Sequence, residues 1–252
     1  MEIGNSVAIV FGGASGLGEA TARRIAAEGG KVVVADMAID RAEEVAQAIG
    51  GLAVETDVGD AESVARAVER ASKSGEVRIS VACAGVADPG KLLGKSGPAP
   101  IERFRRAIEV NLVGTINCVG QAAWTMSSNQ PNDEGERGVC VTTASVAAFE
   151  GQIGQIGYAA SKGGVVGLTL PMARELADKG IRIATIAPGL FETPMMAGLP
   201  EAVRESLGES VPFPARLGRP SEYADLVAHI VHNPMINGST LRLDGAVRLP
   251  PR

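Results

Sequence analysis

Apolar runs rich in Val, Ile and Ala recur along the chain with helical patterns between them. This alternation constrains the fold more than any other feature. The runs are SVAIVF at 6–11, KVVVAD at 31–36, LAVETD at 52–57, RISVACAG at 78–85, GVCVTTAS at 138–145, IRIATIAPG at 181–189 and STLRLDG at 239–245. GEATARRIAAEG at 18–29 and DRAEEVAQAIG at 40–50 read as helices, as does 60–74. Strands that are nearly continuously apolar belong in a parallel sheet covered on both faces, with helices as the crossovers. The predicted fold is α/β, a doubly wound parallel sheet. No composition shift marks a second domain, so 1–252 is expected to form a single domain.

The first strand–helix junction carries chemistry. VAIVFGGASGLGEA places Gly12, Gly16 and Gly18 between strand and helix. Glycine permits the tight turn and lets backbone N–H groups approach a pyrophosphate, which the helix N-terminus then faces. The next strand ends in Asp36, whose carboxylate can accept hydrogen bonds from both ribose hydroxyls of an adenosine. Asp57 and Val58 follow the third strand, where an adenine could lie. ACAG at 82–85 follows the fourth, with small residues that allow close backbone approach. Strand, spacing, helix and carboxylate agree, so the sheet is expected to be of the Rossmann type and to bind NAD.

The chain has two tyrosines, and one stands in GYAASKGG. Tyr158 and Lys162 are i and i+4, so they are neighbours on one helical face. Alone, such a pair fits a surface helix. Behind a dinucleotide loop it fits a phenol whose titration a cation lowers, making it a proton acceptor for an alcohol. The ammonium could also hold the nicotinamide ribose. Ser145 ends the strand upstream, where a hydroxyl could bond a substrate oxygen. Gly163, Gly164 and Gly167 are costly in a helix, so close packing is expected to compensate.

Bulk properties exclude several classes. The 252 residues carry a formal charge of −5, which argues against a general nucleic-acid or anionic-membrane binder. Cys83, Cys118 and Cys140 form no CxxC pair, and the two histidines, His229 and His232, read as surface or interface residues. No metal site is expected, and a reducing, cytoplasmic setting fits best. No apolar run reaches a membrane-spanning length, and the N-terminus runs almost directly into a strand, leaving no room for a leader. Two polar insertions stand out. SSNQPNDEGERG at 127–138 reads as a solvated loop. DPGKLLGKSGPAP at 88–100 follows a strand's C-terminal end, and either touches substrate or is solvated.

Together GGASGLG, Asp36, Asp57, CAG at 83–85, Asn111 in EVNLVG, Ser145, YAASK and APG at 187–189 resemble the classical short-chain dehydrogenase/reductase family over essentially the whole chain. The resemblance implies catalytic roles for Asn111, Ser145, Tyr158 and Lys162, with Asn111 helping to hold a proton-relaying water chain. It implies that Ser15, Leu17, Cys83, Ala84, Gly85, Pro188, Gly189 and Thr193 join the cofactor site, Thr193 at the nicotinamide carboxamide. Two departures are visible. Phe11 stands where the family usually has threonine, which puts local bracing in doubt. ACAG replaces the commoner NNAG and loses an asparagine that ties strands together.

SVAAFEGQIGQIGYAASKGG, APGLFETPM, VPFPARLG and LRLDGAVR resemble more closely the type 2 3-hydroxyacyl-CoA dehydrogenases, also called type 10 17β-hydroxysteroid dehydrogenases. That subfamily implies NAD-linked oxidation of short or branched 3-hydroxyacyl-CoA thioesters, secondary activity on steroids, a role in fatty acid metabolism, and a homotetramer. It places Gln152 in the substrate site, Phe191 near the cofactor, and substrate loops at 88–100 and 190–215. Lys91 and Lys95 would then meet CoA phosphates, or simply be solvated. The rival readings are a 3-oxoacyl thioester (ACP) reductase, a hydroxysteroid dehydrogenase, and a non-catalytic NAD-sensing or scaffold protein.

Overall fold

The structure, a computed structural model, describes residues 1–95, 97–198 and 200–251. The chain begins with β1 (Val7–Phe11), α1 (Gly16–Ala27), β2 (Lys31–Asp36), α2 (Ile39–Ile49), β3 (Leu52–Glu55), α3 (Ala61–Ser72) and β4 (Val77–Ala82). It continues through α4 (Ile101–Ile108), a π-helical turn at Glu109–Val113, α5 (Gly114–Met126), β5 (Gly138–Thr143), α6 (Ile156–Glu175) and β6 (Ile181–Pro188). The short helices α7 (Pro194–Ala197) and α8 (Glu201–Glu209) precede α9 (Pro220–His232) and β7 (Thr240–Leu243). The 190–215 segment, expected as a loop, therefore carries two helices.

The strands form one parallel sheet in the order β3-β2-β1-β4-β5-β6-β7. The chain winds outward from β1 to β3, then returns to place β4 on the other side of β1. That reversal opens a crevice beyond the carboxyl ends of β1 and β4, the place where such sheets bind ligands.

Strand side chains alternate between the two faces. Ala8 and Val10 join Val32, Val34, Ile79 and Val81 under α1, α2 and α9, against Ile25, Val45, Val227 and Ile230. Val7, Ile9 and Phe11 join Val33, Val77 and Ile183 under α3 and α5, against Val64, Val68, Cys118 and Met126. Phe11 is fully buried there. The bracing its side chain does not supply comes from its backbone: its carbonyl accepts N–H bonds from Cys83 (2.8 Å) and Ala84 (3.0 Å).

The 127–138 insertion is largely exposed, as expected of a solvated loop, but two of its side chains anchor it. Asn129 and Glu136 are buried. Asn129 Nδ2 donates to the Val77 carbonyl at 2.8 Å. Glu136 pairs with Arg182 of β6 at 2.7 Å, and that guanidinium donates to the carbonyls of Ile230, Val231, Asn233 and Ile236. The insertion thus stitches β4 and β6 to the C-terminal end of α9, where a cation suits the helix dipole. His229 and His232 lie on the exposed side of α9, as expected.

Candidate active site

The glycine loop is shaped by contacts no side chain could survive. A Cβ on Gly18 would sit 2.0 Å from the Gly12 carbonyl oxygen, and one on Gly12 would sit 2.5 Å from the Ala84 nitrogen. Gly12 and Gly16 also hold positive φ, at 75° and 54°. Ser15 starts α1 in extended conformation without a side-chain cap, so the first-turn N–H groups keep no side-chain partner there. Asp36, at the end of β2, accepts N–H bonds from Ala14 and Ala38, both at 3.0 Å, and its carboxylate lines the same crevice. Donors at a helix end, a backbone cradle and an acceptor one strand away fit a pyrophosphate and an adenosine ribose.

One cleft of about 560 Å³ runs across these strand ends. Gly12, Ser15, Gly16, Leu17, Gly18 and Asp36 line one end of it, with Asp57 and Val58 beside them. Cys83, Ala84 and Gly85 line its middle. Ser145, Gln152, Tyr158 and Lys162 line the other side, and Pro188, Gly189, Phe191 and Thr193 close it. Thr193 lies over the glycine loop: a Cβ on Gly16 would be 3.4 Å from its methyl group. Phe191 is buried and packs on Gly218. Among the predicted catalytic and cofactor-binding residues, all of them described, Asn111 alone is not in the lining. It is fully buried behind Gly85 within the π-helical turn. Its amide is spent on protein: Oδ1 accepts from the Val86 N–H, and Nδ2 donates to the Val86 carbonyl and Ser161 Oγ.

The reacting group is held by two elements. Ser145 lies two residues beyond β5 and caps a 3₁₀ turn at Val146–Ala148, its hydroxyl accepting the Ala147 N–H at 3.1 Å. Tyr158 and Lys162 stand one turn apart on α6, with the ammonium 5.9 Å from the phenol ring centre. Lys162 is 4% exposed and donates to the Thr143 carbonyl at 2.7 Å. Burial lowers the Lys162 ammonium to about 8, partly offset by the Cys83 thiol nearby. Burial also raises the Tyr158 phenol, with the Ser145 hydroxyl pulling the other way. In the protein alone the phenol's shift is upward and set by desolvation, with the Ser145 hydroxyl as the opposing group, so the phenol is protonated at neutral pH.

The α6 glycines divide. Gly164 packs on Leu112, whose Cδ2 would be 2.7 Å from a Cβ, but among the described residues nothing lies within 4 Å of one on Gly167. Lining residues that sequence reasoning missed include Val86, Ala87, Gln155 and Leu249, whereas Pro89 and Met196 fall within the expected loops at 88–100 and 190–215. Leu249 comes from the C-terminal tail, which docks on the rim: Gln152 Nε2 donates to the Pro250 carbonyl and the Ile153 N–H to that of Pro251, both at 3.0 Å. Nothing local in the sequence signals that contact. Lys91 and Lys95 are exposed and outside the lining.

The description "short chain dehydrogenase" fits residues 6–204 as a family match. The chain belongs to the short-chain dehydrogenase family. Membership makes it an oxidoreductase by class. The family member named 3-hydroxyacyl-CoA dehydrogenase type-2 from Drosophila melanogaster is 51% identical over 254 residues, 99% of this chain and 100% of that protein. A crystal structure of the protein of the same name from Mycobacterium avium has a TM-score of 0.95 at 43% identity, covering 98% of this chain and 97% of the other. A 7α-hydroxysteroid dehydrogenase solved with NADH and 7-oxo glycochenodeoxycholic acid has a TM-score of 0.88 at 28% identity, covering 98% and 96%. Among the described residues, no group of His, Cys, Asp and Glu could hold a metal ion, and no helix is long and apolar enough to cross a membrane.

Proposed function

We propose that this short-chain dehydrogenase interconverts 3-hydroxyacyl-CoA and 3-oxoacyl-CoA thioesters with NAD(H), with short or branched acyl groups as substrates. The observation that carries this is the meeting of Ser145, Tyr158 and Lys162 in the cleft that also holds the glycine loop and Asp36. The names of the Drosophila and Mycobacterium relatives support the acyl-CoA substrate. A pure sensor has no need of all three polar residues beside a dinucleotide cradle.

Bound NAD supplies the hydride acceptor, and its reduced form the donor. Gly12 to Gly18 cradle the pyrophosphate, Asp36 takes the adenosine ribose hydroxyls, and Asp57 and Val58 border the adenine. Gly85, Lys162, Pro188, Gly189, Phe191 and Thr193 surround the nicotinamide end. Ser145 holds the substrate oxygen. Tyr158 accepts the hydroxyl proton in oxidation and returns it in reduction. Lys162, charged and anchored to the Thr143 carbonyl, favours the phenolate form when a proton must leave. Asn111 serves by fixing Val86 and Ser161 around that lysine, with its side chain fully engaged. Gln152, with Pro89 of the 88–100 segment and Leu190 and Met196 of the 190–215 segment, borders the acyl end. The assembly is a homotetramer, and the setting is cytoplasmic fatty acid metabolism.

A panel of 3-hydroxyacyl-CoA thioesters, acyl-carrier thioesters, hydroxysteroids and simple secondary alcohols, each with NAD and NADP, tests this. The expected result is highest kcat/KM for a CoA thioester with NAD. A hydroxysteroid or carrier-protein thioester ahead of every CoA ester would overturn the substrate, and no turnover at all would favour a sensor.

A further inference from the structure

Tyr223 is a completely buried phenol on α9, and the mechanism above does not use it. Its hydroxyl reaches across the sheet's edge to the end of β5. The oxygen lies 2.7 Å from Thr143 Oγ1 and 3.7 Å from Cys83 Sγ. Thr143 Oγ1 in turn lies 2.6 Å from the Ala82 carbonyl. A carbonyl only accepts, so the single hydroxyl proton of Thr143 is committed to Ala82. Tyr223 must then donate to Thr143, and the Cys83 thiol can donate to Tyr223. Burial keeps this phenol protonated by raising it well above its ordinary value. Thr143 Oγ1 also lies 3.6 Å from Cys83 Sγ, but the carbonyl at 2.6 Å is the closer and stronger acceptor, so the order runs thiol to phenol, phenol to threonine, threonine to carbonyl.

This chain of bonds ends one atom group from the catalytic lysine, because the carbonyl that receives Lys162 Nζ belongs to Thr143. We propose that Tyr223 is a positioning residue, which locks the end of β5 so that the Thr143 carbonyl holds the Lys162 ammonium at the reacting site. The inference rests on the function proposed for Lys162. The ionisable groups facing that ammonium are the Tyr158 phenol on its own helix and the Cys83 thiol from the end of β4, with the Tyr223 phenol behind the thiol.

The test compares Tyr223→Phe, Thr143→Val and Thr143→Ser with wild type, using a short 3-oxoacyl-CoA and NADH. Tyr223→Phe is expected to lower kcat about three- to tenfold, the size of one lost buried hydrogen bond. KM and NADH affinity should stay within about twofold. The alkaline limb of the pH profile should move to lower pH by about half a unit, because a less firmly held ammonium deprotonates sooner. Thr143→Val should reproduce the shift and Thr143→Ser restore it. The Tyr223→Phe/Thr143→Val double variant should be no worse than Thr143→Val alone, as for one coupled unit. A kcat loss with an unmoved limb would mean a merely structural role and overturn the proposal, as would additive losses. If Tyr223→Phe does not fold, the two Thr143 variants decide by the same criterion. NMR titration of the Lys162 side chain reads the shift without turnover. An unmoved lysine overturns the positioning role, whereas an inactive wild type overturns only the function it rests on.

Discussion

The Tyr158 phenol and the Lys162 ammonium are both taken out of water, and burial pushes both toward their neutral forms. A neutral phenol donates a proton readily, so the reductive direction is served by the protein as it stands. The ammonium persists below about 8 and is lost above it. Reductive kcat/KM is therefore expected to fall as pH rises through about 8, and Lys162→Met should remove that limb along with most activity; a flat profile from pH 7 to 10 would contradict it. Tyr158→Phe should cost at least about a hundredfold in kcat and leave NADH affinity nearly intact. Cofactor choice belongs to Asp36. A 2′-phosphate would meet this carboxylate as a like charge. Arg41, the nearest candidate to relieve it, is engaged by Glu44 and by Glu19 at 3.7 Å. NAD should be preferred over NADP by at least about tenfold in kcat/KM, and Asp36→Ala should narrow the gap; equal values in the wild type would show that Asp36 does not govern the ribose.

At the scale of elements, the Arg182–Glu136 stitch joins β6 to the 127–138 segment with both partners over nine-tenths buried. Removing Arg182 leaves the buried Glu136 carboxylate with only the Met1 ammonium at 3.3 Å, and breaking a buried ion pair in this way costs about 3–5 kcal/mol. Arg182→Met is expected to lower Tm by roughly 10 °C, read by calorimetry, while KM for NAD stays near wild type. That segment was legible as polar, but its buried anchors were not, because composition does not reveal that Glu136 has an arginine waiting on a distant strand. The strands were legible to within about three residues, since apolar runs and strand burial are the same fact seen twice. So were the glycine loop, Asp36 and the Tyr158–Lys162 pair, because each depends on local spacing. The π-helical turn that buries Asn111 was not, since a one-residue widening of a helix leaves no period of its own. Leu249 and Tyr223 were missed for a different reason. Each reaches the site through tertiary contacts with segments far away in the chain.

The whole molecule leaves one face of this architecture unfinished. On α5, Ile116, Gly120 and Trp124 recur every fourth residue and point outward, with Trp124 79% exposed. On α6, Ile156, Ala160, Gly167 and Leu170 follow the helical repeat on the exposed side. Among the described residues, nothing lies within 4 Å of a Cβ on Gly120 or Gly167, so the cost of glycine there is not repaid by packing against them. A helix that is apolar all round belongs in a buried setting, and symmetric closure against a second copy is the common way to provide one. Small residues would let the facing helices approach closely, and the exposed indole would supply an aromatic anchor of the kind that dominates interfaces. The outer side of α6 is also the back of the helix that carries Tyr158 and Lys162, so clamping it stiffens the catalytic pair. Wild-type protein is expected to sediment as a tetramer at micromolar concentration. Trp124→Glu with Leu170→Glu should yield smaller species and lower kcat by more than about tenfold, with loss of assembly and loss of activity following the same concentration dependence. A wild-type monomer in the ultracentrifuge, or a dissociated variant with full turnover, would show that these helix faces do not assemble the enzyme.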